Sequence, residues 1–140
     1  MSAANVELQR RWLAAFNARD VEAFVACCHP DVEYHSVFAA VDRAVYSSQD
    51  GVRQWWRDVD GAWDEIRIQD EVLFDLGEHV LVYAVLCGRG RQSGADVRLP
   101  YASVARCREG VAVYFKTYAD RAEALRELGV SENELEPIAP

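Results

Sequence analysis

A chain of 140 residues that is 51% hydrophobic can bury one good core and no more, so a single domain is expected. A formal charge of −8 and an isoelectric point near 4.8 argue against nucleic acid or an anionic membrane as partner. The N-terminal MSAANVELQRRW lacks the apolar core of a signal peptide, and no run approaches the length of a bilayer span, which points to a cytoplasmic protein.

Leu8, Trp12, Leu13 and Phe16 recur at helical spacing and predict a first helix between Ser2 and Ala18. Asp20 is placed to cap a shorter helix carrying Val21, Phe24 and Val25. His29-Pro30-Asp31 closes that helix, because proline drives the residue before it out of helical angles. Cys27, Cys28 and His29 stand together here, but three consecutive side chains diverge too far to share one ion, so no metal site is expected. With Cys87 and Cys107 in apolar runs and no C-x-x-C, the cysteines read as buried, reduced thiols. VEYHS, Val32 to Ser36, follows as a short strand, and Val37 to Ser47 as an irregular segment. A third helix starts near Ser48 or Asp50, with Val52, Trp55, Trp56, Val59 and Trp63 on its apolar face.

From Ile66 onward the period becomes that of strands. EVLFDL, HVLVYAVLCG, DVRLPYASVARC and VAVYFKTY are four β-rich runs parted by Gly77-Glu78, GRGRQSGAD and Glu109-Gly110, the pattern of an antiparallel meander. GRGRQSG lacks the Gly-Lys-Ser/Thr ending of a phosphate loop and joins two strands, so it reads as a hairpin turn. Asp120 to Glu123 has capping-box spacing, and Gly129 sits where a helix ends on a left-handed residue. A domain over residues 1–130 and a polar surface tail over 131–140 result. The order of elements implies an α+β fold, a curved antiparallel sheet wrapped around three helices as a cone-shaped barrel, plus a C-terminal helix. A largely apolar cavity between sheet and helices is then the place to look for a ligand.

FNARDVEAF, HPDVEYH, DGVRQWW, RGRQSG, the REG turn and above all YADRAEALRELG, in this order and spacing, resemble the nuclear transport factor 2-like superfamily and within it the SnoaL-like branch, from Glu7 to Val130. That superfamily includes polyketide cyclases, steroid isomerases, dehydratases, epoxide hydrolases, non-catalytic binders and protein-transport factors, so the resemblance leaves the chemistry open. Steroid isomerases of this fold carry a carboxylate base on the first strand, and matching the strands puts His35 there. Their phenolic donor on the first helix corresponds to Trp12, and their acidic donor on a late strand to Ser103. The aspartate of SnoaL-type cyclases corresponds to Thr117. Those substitutions count against both of those reactions.

His35 is the candidate proton carrier, since an imidazole is the side chain best suited to accept and return a proton at physiological pH; it can equally orient a ligand or be a satisfied structural histidine. Trp12, Tyr101, Ser103 and Thr117 would share the work of oxyanion donors. Phe16, Tyr46, Trp56 and Phe115 complete the expected lining. If His35 faces the cavity, Glu33 and Val37 do so too, while Tyr34 and Ser36 face away; Val113, Phe115 and Thr117 share a face of the last strand. The two faces of the late strands are similarly apolar, so the outer one should be covered, and a sheet-to-sheet homodimer would cover it. The sequence thus points to a cofactor-free domain that takes a hydrophobic, oxygenated small molecule. Acid–base isomerase, cyclase or dehydratase chemistry at His35 is one reading of it. A non-catalytic binder and a dimeric protein-interaction domain are the alternatives.

Overall fold

The computed structural model describes residues 2–37 and 45–138. Helices α1 (Ser2–Asn17) and α2 (Val21–Ala26) precede strands β1 (Cys28–His35) and β2 (Val45–Ser47). Helix α3 (Ser48–Ala62) leads into β3 (Trp63–Leu76), β4 (His79–Gly90), β5 (Asp96–Arg108) and β6 (Val111–Tyr118), and α4 (Arg121–Leu128) closes the domain. Local chemistry fixes several of these ends. The Asp20 carboxylate accepts the Ala23 N–H at 3.1 Å and that of Asp120 accepts the Ala122 N–H at 2.9 Å, each capping orphan donors of a first turn. Gly129, at φ 70°, ends α4 in the left-handed conformation that a Cβ disfavours. Part of the segment expected to be irregular is ordered: Val45–Ser47 pairs antiparallel with Glu33–His35, while residues 38–44 lie outside the described ones.

The strand order is β2-β1-β6-β5-β4-β3. The meander from β3 to β6 is antiparallel throughout, but β1 runs parallel to β6, so the sheet is mixed rather than wholly antiparallel. The physical reason is connectivity. No hairpin joins β1 to β6; the chain reaches β6 only after α3 and the whole meander, and nothing then forces the strands into opposite directions.

The register shifts at four places along the open, curved sheet among the described residues, and two of these shifts re-aim side chains of the site. Between Gln69 and Val72 the register of β3 slips, with Asp70 at φ 59°. Between Arg106 and Cys107 the β5·β6 register slips, because Val113 has no partner. A residue inserted into one strand moves its neighbours to the other face. Ala112 and Phe115 therefore both pack into the inner core although three positions separate them, and Val113, expected beside Phe115, is the bulged residue.

The core has two parts. Residues of α1, α2 and α3 pack with the inner face of the sheet, including Val32, Tyr34, Val82, Tyr101 and Phe115. On the outer face, Phe74, Leu81, Ala102, Val104 and Tyr118 are buried beneath Ala124 and Leu125 of α4. Helix α4 thus covers this part of the apolar outer face, while Tyr83, Val85, Cys87 and Tyr114 are half-buried. Residues 131–138 continue past α4 through a 3₁₀ turn at Glu132–Glu134, held by the Ser131 and Glu134 side chains, and remain packed on the domain. Among the described residues no helix is long and apolar enough to cross a membrane.

Candidate functional site

The C-terminal half of α1 carries the roof of the site. Gln9, Trp12, Leu13 and Phe16 recur at i, i+3, i+4 and i+7, which puts them on one stripe facing the concave sheet. Phe24 from α2 and Trp55 from α3 close the sides. The floor is the inner face of five strands: Tyr34 on β1, Ile66 and Ile68 on β3, Leu86 on β4, Tyr101 and Ser103 on β5, and Phe115 and Thr117 on β6. Between them lies a cavity of about 30 Å³. Ligand pockets usually measure several hundred Å³, so this one is nearly filled by its own walls.

Aromatic rings do the filling. Tyr34 stacks on Phe115 with ring centroids 4.7 Å apart, and Trp12 meets the same Phe115 edge-on at 4.8 Å. Trp55 lies 4.9 Å from Tyr34 and stacks on Phe24 at 5.7 Å. Polar groups enter this enclosure sparingly. The Thr117 hydroxyl accepts the Val37 N–H at 2.9 Å. The indole N–H groups of Trp12 and Trp55 and the Oε1 of Gln9 are buried without a hydrogen-bond partner. Of the lining side chains among the described residues, Tyr34 and Tyr101 titrate, and burial pushes both phenols above their ordinary value, so both stay neutral.

The structure brings together Trp12, Phe16, Tyr101, Ser103, Phe115 and Thr117 from the set read in the sequence. It leaves out four others. His35 lies on the outer face of β1, beside the ring of Tyr114 at 5.4 Å, with its Nε2 2.6 Å from the Glu33 carboxylate. Glu33 is exposed on that same face, so neither residue reaches the cavity. The reason is strand parity: Tyr34, 2% exposed, takes the inward position, and its neighbours must point the other way. Tyr46 is buried on β2 and donates its hydroxyl to Asp58 at 2.7 Å instead of folding over a mouth. Trp56 packs behind the cavity against Phe16, with Arg19 stacked 4.9 Å from its ring, and the wall position falls to Trp55.

Signals for the missed residues were present. Gln9 precedes Trp12 by three positions on the same helical stripe, and Val32 and Tyr34 are the apolar members of an alternating strand. Cys27, Cys28 and His29 do not converge, and among the described residues no three His, Cys, Asp or Glu side chains form a group able to hold a metal ion.

Residues 9–115 match the model of the SnoaL-like domain. Solved structures share the architecture. An NTF2-like protein of unknown function from Burkholderia pseudomallei is 25% identical, over 88% of this chain and 95% of its own, with a TM-score of 0.75. TerC, co-crystallised with polyporic acid, is 21% identical over 89% of this chain and 97% of its own, again at 0.75. A protein of ketosteroid isomerase-like fold from Catenulispora acidiphila, in complex with trimethylamine, is 18% identical over 96% of this chain and 98% of its own, at 0.73. No curated protein matches the chain.

Proposed function

This chain belongs to the SnoaL-like domain family, and from that premise we propose that its cavity binds a compact, uncharged, oxygen-bearing apolar molecule without turning it over. The observation that carries this reading is the lining itself. Two indole donors and one amide acceptor stand unpartnered in an otherwise apolar enclosure. Each such buried group costs about 1–3 kcal/mol until something pairs with it. A hydroxyl or carbonyl on an aromatic or aliphatic frame supplies the missing partner, and its body takes the place of aromatic walls that move aside, because the resting cavity of about 30 Å³ is smaller than such a molecule. Among the described lining residues charge has no counterpart, since the two that titrate are neutral phenols.

The same lining argues against acid–base turnover. Enolisation or dehydration needs a group that takes a proton near neutrality. Phenols held above their ordinary value do not, and His35 stands on the far side of the sheet. Ser103, Thr117 and the indoles remain as neutral hydrogen-bonding groups, suited to orienting a ligand.

Thermal-shift and calorimetric titration with phenol, 4-methylphenol and 2-naphthol, beside benzoate and 2-naphthoate, tests the reading. The neutral compounds should bind and the carboxylates should not. Trp12→Phe and Trp55→Phe should each weaken binding about five- to tenfold, the worth of one lost hydrogen bond, and His35→Gln should leave it unchanged. Preferential binding of the carboxylates, or dependence on His35, would overturn it. The small volume of the cavity favours a second reading, a protein-interaction domain whose cavity is only core. Failure of every compound to bind would favour that one.

A further inference from the structure

The C-terminal segment takes an unusual path. Leu135 packs with the outer-face cluster under α4, yet three residues later Ile138 packs with the inner core beside Leu13. To pass from one to the other the chain wraps around β3, the last strand of the sheet, and the Ile138 N–H bonds the Leu73 carbonyl at 2.8 Å. The segment thereby crosses the seam between α1 and β3.

That seam is uneven. At one end it is stitched shut, for the Asn17 side chain donates to the Ile68 carbonyl and accepts the Ile68 N–H, both at 2.8 Å. Beyond this stitch the bulge at Asp70 shifts β3 out of register, and a surface groove opens, lined by Leu13 and Ala14 on one side and Val72 and Leu73 on the other. Pro137 and Ile138 lie along it. Leu13 belongs to both spaces: it lines this groove and it lines the internal cavity. One leucine side chain, half-buried, is therefore shared between the outside of the domain and its enclosed space.

We propose that the α1–β3 seam is a route into the cavity, with Leu13 as its gate and the Pro137–Ile138 segment as a strap that holds the gate closed. Among the described residues the strap is fastened by one backbone hydrogen bond and one half-buried isoleucine, so it can release while the domain stays folded. Release frees Leu13 to swing outward along the groove. This inference extends the reading of the cavity as a binding site, but its physical content, access of solvent to the enclosed indoles, does not depend on any ligand.

The test uses that independence. Trp12 and Trp55 line the cavity, whereas Trp56 is equally buried and unpartnered but does not. Hydrogen exchange at the three indole N–H groups, followed by NMR, compares the full chain with a chain ending at Glu136 and with Ile138→Ser. Exchange at Trp12 and Trp55 should accelerate on the order of tenfold in both variants while Trp56 stays unchanged. Unchanged exchange at Trp12 and Trp55 would overturn the proposal. So would equal acceleration of all three, which marks general loosening. Failure of phenols to bind, with selective acceleration intact, would sink the binding function and leave the gate standing.

Discussion

Tyr34 and His35 are adjacent on β1 and face opposite ways, and that one step decides what chemistry the cavity has at hand. The sequence contained the answer in its own alternation, since Val32 and Tyr34 are apolar and Glu33 and His35 are not. Placing His35 at the isomerases' base position requires the opposite parity, with Glu33 inward and Tyr34 outward. By contrast, the inward positions on β5 and β6 followed from the same alternation and include Tyr101, Ser103, Phe115 and Thr117. Gly88 carried no sequence signal at all. Its role is steric: a Cβ there would stand 2.8 Å from the Glu65 carbonyl oxygen and 2.8 Å from the Trp63 ring, which lies across this point of the β3·β4 pair. Backbone on one side and a bulky ring on the other leave little to yield. Gly88→Ala should lower stability by about 1–3 kcal/mol, the usual cost of overpacking, read from urea unfolding; an unchanged midpoint would show that Trp63 moves aside freely.

At the scale of elements, what was legible was what short-range chemistry controls. Caps at Asp20 and Asp120, the left-handed Gly129 and the turns at Gly77 and Gly110 marked the ends of α2, α4 and the hairpins. Long-range pairing was not legible: neither the parallel β1·β6 ladder nor the register shifts leave a local pattern. Nor does the sequence state which face α4 covers. The two faces are similarly apolar, and Ala124 and Leu125 of α4 cover the outer one over Leu81, Ala102 and Val104. A second copy seated on this side would meet α4 and charged strand positions such as Lys116 and Arg106 in place of bare apolar sheet. Removing α4 should reverse that. A chain ending at Ala119 uncovers the patch, and contiguous exposed apolar surface of this kind drives association. Sedimentation velocity should show it shifting to larger species at concentrations where the full chain keeps its size; identical profiles would mean that the strands repack without their cover.

Across the whole molecule, ionisable groups are sorted by depth, and the sorting sets the response to pH. Several exposed carboxylates are held below their ordinary value by partners: Glu22 by Arg53, Glu78 by Arg108, and Glu127 by the Tyr118 hydroxyl and then Lys116. Such groups add stability above the unfolded carboxylate value near 4.5 and lose it as pH falls through the lowered one. Being solvated, they contribute little, so the acid limb should be shallow. The interior holds thiols and phenols instead. Burial pushes the Cys28 thiol up to about 12 and the Cys107 thiol up to about 11, from 9.0, and raises Tyr34 and Tyr101 as well. A folded value above the unfolded one means that stability is complete below about pH 9 and declines as pH rises, because the unfolded chain releases protons that the folded chain retains. Each such proton contributes a slope of about 1.4 kcal/mol per pH unit. Urea midpoints measured from pH 5 to pH 11 should therefore stay level to about pH 9 and then fall steeply. Cys28→Ala removes one of these protons and should make the alkaline fall shallower by that one-proton slope, whatever it does to the level below pH 9. A midpoint that stays level to pH 11, or a Cys28→Ala slope equal to that of the parent chain, would show that the interior admits water and hydroxide freely around these thiols, and the account of burial as the cause of their raised values would fall with it.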